Sequence, residues 1–486
     1  MVLTDRASDL RTGGRPKQGN GAHNYFAAVQ SARGGLALPV LIYLLAALLP
    51  LHASIAGLHM TGVRMVLLIM VLPLLFRLLA GHYGRVNVID VVFLLHVGWM
   101  TVALAVNNPQ QVVANAGATS VEFLGGYLIG RAFIRSREDF LALLKFLGLV
   151  VLCLFPFALV ETLTGTSPLL KLLGQIPGLG TIRLTGASPR MGLSRVQLVF
   201  VHPIHSGLFF AVLFPLFFVG MKTYWGDTHR MMIATLAAAS GFLALSSGAL
   251  LAMLLQLGLI IWAWIFRRTE RRWLILIGLA ILAYVTVDLL SNRKPIHVFM
   301  TYATFSAHNA YWRSIIFDWG VANVLGDAER GITGSPIFGI GLNDWIRPSY
   351  MRSGSMDNFW LVTAVRYGVP GLSFLALGYL IGLWRVMRRD FDADPVLWQF
   401  RRAWVFAFVG LSFTLCTVHV WHTVYSLVFF FFGAGMWMLT AKPAAQAQDA
   451  ETPAAAPERP RPRYSRFTWE HQRPAACPVP SQPRPI

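Results

Sequence analysis

The sequence predicts an all-α polytopic membrane protein of about twelve transmembrane helices, on three observations. Apolar runs near the ~20 residues that cross a bilayer recur along the chain. Hydrophobic residues are 55% and charged residues 13% of the total, with mean hydropathy +0.56, which excludes a soluble globular domain. The lysines and arginines gather in alternate short loops. A net charge of +19 would suggest a nucleic-acid partner in a soluble protein. Here the cations fall between spans, so the charge reads as topology and no nucleic acid is expected.

Residues 1–35 are Gly-rich and basic, with no apolar core near the start. They are expected to form a cytoplasmic arm without a cleavable signal peptide. The transmembrane bundle is placed at 36–441, with spans at about 36–52, 61–80, 87–106, 117–134, 140–163, 197–221, 231–247, 249–266, 273–291, 357–384, 403–420 and 423–441. Alternate short loops carry Arg77 and Arg85, then Arg131, Arg135 and Arg137, then Lys222 and Arg230, then Arg267, Arg268, Arg271 and Arg272, then Arg385, Arg388, Arg389, Arg401 and Arg402. The short loops at 53–60, 107–116, 246–248 and 421–422 carry no lysine or arginine. The positive-inside rule then sets both termini in the cytoplasm. It leaves the two long polar segments, 164–196 and 292–356, on the external face. Residues 442–486, rich in Pro, Ala and Arg, read as a disordered cytoplasmic tail. Its basic residues either touch anionic headgroups or stay solvated. The three cysteines form no disulfide framework.

Long loops escape the charge rule, so their cations are free for another role. The segment 292–356 holds Arg293, Lys294, Arg313, Arg330, Arg347 and Arg352. Three clusters stand out. The first is Arg190-Met-Gly-Leu-Ser-Arg195 followed by His202-Pro-Ile-His205. Guanidinium grips phosphate oxygens bidentately and stays charged, so this arginine pair suits a diphosphate. Snorkelling interfacial arginines are the plainer alternative. His202 and His205 share a helix face, and His419 and His422 repeat the spacing. No carboxylate or cysteine accompanies them, so they read as polar groove lining or interfacial packing, and no metal is expected.

The second cluster is the amphipathic stretch 310–325, with Arg313 and Asp318, followed by Pro336-Ile-Phe-Gly339-Ile-Gly341. The third is Asp357-Asn358, with Arg366-Tyr-Gly368-Val-Pro370 further on. Gly368 and Pro370 should break the span and leave a half-helix from Asp357 to Arg366. Asp357 is then either its N-cap or a functional carboxylate. Glu122, Glu161, Asp288 and Arg366 are costly in lipid and should face the bundle interior. No Walker motif, dinucleotide fingerprint, zincin motif or nucleophile elbow is present.

In this order the clusters resemble the O-antigen ligase and O-antigen polymerase superfamily of bacterial envelope proteins. The resemblance rests on Arg190-x-Gly192-x-x-Arg195, His202-Pro203-Ile204-x-x-Gly207 and Leu245-Ser246-Ser247-Gly248-Ala249. It continues through Arg313, Pro336-x-Phe338-Gly339-x-Gly341, Asp357-Asn358-x-x-Leu361 and Tyr367-Gly368-x-x-Gly371, covering about 183–371. It implies a GT-C-like, metal- and cofactor-independent inverting glycosyltransferase in the bacterial inner membrane, facing the periplasm. Its partners would be undecaprenyl-diphosphate-linked glycans, the lipid bilayer and other polysaccharide-assembly proteins. Asp357 would take the acceptor proton. Arg190, Arg195 and Arg313 would stabilise the leaving diphosphate. His202, His205, Asn358 and Arg352 are the further substrate-binding candidates. Trp312, Trp319, Trp345 and Trp360 offer faces for sugar rings. The ligase branch commonly carries a histidine where Asp357 stands, which favours a polymerase of O-antigen or exopolysaccharide repeat units. A ligase with a lipid A core acceptor is the alternative. A secondary transporter or lipid flippase is the second alternative, disfavoured by the lack of a repeated broken span.

Overall fold

A computed structural model of the chain describes residues 35–55, 58–292, 295–302 and 307–443. The chain divides into Met1–Ala441 and Lys442–Ile486. Both the basic arm at 1–34 and the tail beyond 443 lie outside the described residues, as do Arg293, Lys294 and the His308 side chain.

The first unit is helical, with a helix at each expected span position. Among the described residues nine helices are long and apolar enough to cross a membrane. Three expected spans differ. Leu38–Leu48 has 11 residues, Asp227–Leu243 has 17, and Pro395–Leu415 brings Gln399, Arg401 and Arg402 into its opening turns. The run read as a first span also ends early. Leu51–Ile55 and Leu58–Thr61 pair antiparallel where a plain loop is expected, and Gly180–Thr181 adds a third strand beside Leu51 and His52.

Helix ends follow local signals. Ser136 accepts the Asp139 amide at 3.1 Å, and Asn87 accepts the amides of Ile89 and Asp90. Both are capping boxes, each closed by the aspartate at the third helical position. The Gly117–Phe133 helix is poorly apolar by sequence, because its glycines serve packing. An added Cβ at Gly126 or Gly130 would run into the backbone of the His422–Gly433 helix at Ser426 and Phe430. Two small residues four apart let the helices approach closely, as in membrane helix pairs generally. By contrast, the Arg272–Leu290 helix buries none of its residues in the bundle.

The arginine-rich short loops meet at one end. Arg137 pairs with Asp394, Arg131 donates to the Tyr83 carbonyl at 3.0 Å, and Arg389 donates to that of Ala441. The long loops fold over the opposite end. There the Ala307–Leu325 helix and residues 340–356 build a small core of their own around Ile316, Val324, Trp345, Met351 and Met356. That core rests on Leu361, Val362 and Val365 of the Phe359–Met387 helix.

Phe359–Met387 is broken as expected. Gly368 sits at φ 70°, ψ −179°, outside helical space. The loop 336–341 closes the break. Ile340 and Gly341 donate to the carbonyls of Val365 and Arg366 at 2.7 and 3.1 Å, and Val369 donates to Pro336 at 2.7 Å. A membrane helix can break where other backbone satisfies the freed groups, and this loop does so.

Candidate active site

The break between the Asp227–Leu243 and Ser247–Ile265 helices anchors the first arginines. Its free carbonyls lie at a helix C-terminus, where cations are favoured. Arg190 donates Nη1 to the Leu245 carbonyl at 2.8 Å, and Arg195 donates Nε to that of Ala244 at 3.3 Å. Each guanidinium commits one N–H of its five donors to this anchor. Arg313, from the Ala307–Leu325 helix, reaches Ser247 Oγ at 3.5 Å, and its buried Nη1 has no partner.

These three guanidiniums and Asp357 line one pocket of about 110 Å³, with Ser246, Ser247 and Trp312 among its other walls. Three cations face one carboxylate. Burial, and then Arg190 beside it, draw Arg195 down to about 10. Burial and then Arg190 also lower Arg313, and Asp357 opposes the shift. Both remain protonated at neutral pH. A crowded, half-buried set of forks with free donors has the chemistry to hold a multiply charged anion. Met191, Leu198 and Leu245 lie at φ 53°, 53° and 46° in the loops around it. Such strain costs ~1–3 kcal/mol per residue and tends to gather at functional sites.

Asp357 is not the helix cap. Asn358 Oδ1 accepts the Leu361 amide at 3.0 Å and fills that role. Asp357 is free of the helix, with Ser355 Oγ donating to it at 3.3 Å. His202 caps the next element, its Nδ1 accepting the Ile204 amide at 3.1 Å. A neutral His202 therefore carries its hydrogen on Nε2 and is a donor, not a base.

The remaining expected residues are dispersed. Asn358 is buried as the cap. Arg352 is exposed on the loop and does not line the arginine pocket. Arg330 pairs with Asp327 at 2.9 Å, and Arg347 with Asp344 at 2.5 Å. Asp318 is held by His297 at 3.3 Å. Trp345 donates to the Gly354 carbonyl, Trp360 packs on Tyr379, and Arg330 lies over Trp319, so only Trp312 of the four tryptophans reaches the pocket. Glu122 and Glu161 are buried, and Glu161 accepts the amides of Gln197 and Leu198. Asp288 is exposed instead, because its helix buries nothing.

His205 turns away from the arginines. It lies against Trp421, ring centroids 4.1 Å apart, and lines a second cavity of about 620 Å³ with Arg64, Arg183 and His422. A third cavity of about 520 Å³ shares Arg64, Trp421 and His422. Among the described residues no three His, Cys, Asp or Glu side chains are placed to hold a metal ion. The chain matches no protein-family model, and no curated protein matches it.

Proposed function

We propose that the chain is a membrane glycosyltransferase that polymerises polyprenyl-diphosphate-linked oligosaccharide repeat units of an O-antigen or exopolysaccharide. It would act at the outer face of the bacterial inner membrane. One observation carries the reading: Arg190, Arg195, Arg313 and Asp357, from separate stretches of sequence, share one pocket. A diphosphate is the leaving group that such a cluster of forks stabilises best, because charge builds on it as the bond breaks.

The reaction needs little else from the protein. The acceptor hydroxyl oxygen bonds to the anomeric carbon of the donor sugar. The bond from that carbon to the diphosphate oxygen breaks, and its electron pair leaves with the lipid diphosphate. Attack from the face opposite the leaving group inverts the anomeric centre. The hydroxyl proton passes to the Asp357 carboxylate, which the helix does not use. Arg190 and Arg195 are fixed by backbone carbonyls, so they need no reorganisation as charge develops. The external orientation is supported by the arginine-rich loops at the opposite end of the bundle.

The deciding experiment is the glycan profile of a deletion strain. Loss of long polymer with single repeat units retained is the expected result. Full polymer left on its lipid carrier, with the lipid A core uncapped, would favour the ligase reading, and an unchanged profile would end both.

A further inference from the structure

We propose that the cavity beneath Trp421 binds an acidic saccharide, a hexuronate-containing chain, with Arg366 as the residue that selects its carboxylate; this rests on the polymerase reading and assigns the cavity to the acceptor. Its volume, about 520 Å³, falls in the ~300–1,000 Å³ range of small-molecule sites. Phe359 lines it and stands two residues after Asp357 of the arginine pocket, so one short stretch of chain contributes to both cavities.

The lining has the chemistry of a sugar site. Thr119 brings a hydroxyl to the lining, and Asn115, whose amide N–H donates to Gln111, keeps its carbonyl oxygen as an acceptor for a sugar hydroxyl. Trp421, half-buried in the wall, is the aromatic side chain against which the C–H face of a pyranose can rest, whereas Tyr425 is buried against Phe123 and Phe359.

The charges decide the class of sugar. Glu122 and Arg64 cancel, with Oε1 to Nε at 2.7 Å. His422 Nδ1 lies 3.1 Å from Arg64 Nη2 and 3.7 Å from Glu122, and completes a closed trio. His422 holds φ 51°, so the backbone pays strain to keep the ring there. Arg366 is left over. It is exposed, it lines the cavity, and among the described residues no carboxylate pairs with it. A guanidinium that lines a cavity with no carboxylate beside it is a ready partner for an anion that enters there. A carboxylate on the sugar supplies one, in the bidentate geometry that arginine favours.

The test uses the full-length chain in lipid nanodiscs. Calorimetry compares a hexuronate tetrasaccharide with the same tetrasaccharide after carboxyl reduction. Wild type should bind the acidic form about tenfold more tightly or better. Arg366→Gln should erase that preference without weakening the neutral form, Arg366→Lys should restore part of it, and Arg268→Lys, exposed and lining neither cavity, should leave it intact. Equal binding of the two sugars by wild type overturns the proposal without needing any variant. So does no binding of either, or full discrimination by Arg366→Gln. The polymerase reading is judged separately by the deletion strain. A polymer that is lost on deletion yet contains only neutral sugars would sink the acidic-saccharide assignment alone.

Discussion

Ile340 donates its backbone N–H to the carbonyl of Val365 at 2.7 Å, which locks the Pro336-x-Phe338-Gly339-x-Gly341 turn into the break of the Phe359–Met387 helix. Two stretches that look independent in sequence are one device. Gly368 makes it possible: its φ of 70° with ψ near 180° is open only to glycine, and a side chain would strike the backbone of Pro336 and Ile337. Gly368→Ala should therefore lower the melting temperature of the detergent-solubilised protein, by the equivalent of ~1–3 kcal/mol or more. It should also open the 326–341 loop to protease. Gly258→Ala is the control, since nothing lies near its added methyl in mid-helix, and it should be neutral or slightly stabilising. Equal behaviour of the two variants would remove the loop from any positioning role.

The arginine pocket makes a contrast between cations that the sequence cannot separate. Arg190→Lys, Arg195→Lys and Arg313→Lys keep charge and lose the planar fork that grips a phosphate bidentately while one N–H stays on its protein anchor. Each should cut polymer yield by about 10²-fold at normal protein level. Arg352→Lys should leave yield unchanged, because that side chain is exposed and outside the pocket. Near-wild-type polymer from all three pocket variants would mean that the pocket holds no leaving group.

Orientation is open to direct labelling. In a background without native cysteines, single cysteines at Ser188 and Ser353 should react with an impermeant thiol reagent applied from the periplasmic side. Single cysteines at Glu270 and Asp392 should not. All four positions are exposed, so accessibility to the reagent alone decides. The reverse pattern would turn the bundle over and move the candidate site to the cytoplasm.

How much of this is legible in the sequence differs by feature. Run lengths fix where the helices lie, and Gly368 with Pro370 fixes the break, because both are local properties. The pairing of the arginines in the 292–356 segment is half legible. Asp327 and Asp344 stand three residues before Arg330 and Arg347, a spacing that neutralises them. The convergence of Arg190, Arg195, Arg313 and Asp357 is a tertiary fact, made by a helix junction at 244–246 and a loop core that periodicity does not encode. The trio of Arg64, Glu122 and His422 escapes for the same reason. Its members lie on three different helices, and Trp421-His422 looks like a bare two-residue turn. The strand pair at 51–61 is hidden by its length and by the apolar run that leads into it.

The last prediction separates Asp357 from its neighbour. A cap needs only a side-chain oxygen on a first-turn amide, and Asn358 supplies it to Leu361. Asn358→Ala should thus cost ~1 kcal/mol of stability, read as a lower melting temperature. Asp357→Asn should cost almost none, since it alters no helix contact. A general base must instead take up a proton, which asparagine cannot do. Asp357→Asn should therefore lower polymerisation by about 10²–10⁴-fold with protein level and melting temperature preserved. Asp357→His supplies another proton acceptor and should retain partial activity. Wild-type polymer length and yield from Asp357→Asn would remove the base from this position. His202 could not simply replace it, because its Nδ1 already accepts the Ile204 amide, and Asp318 is engaged by His297 away from the arginine pocket.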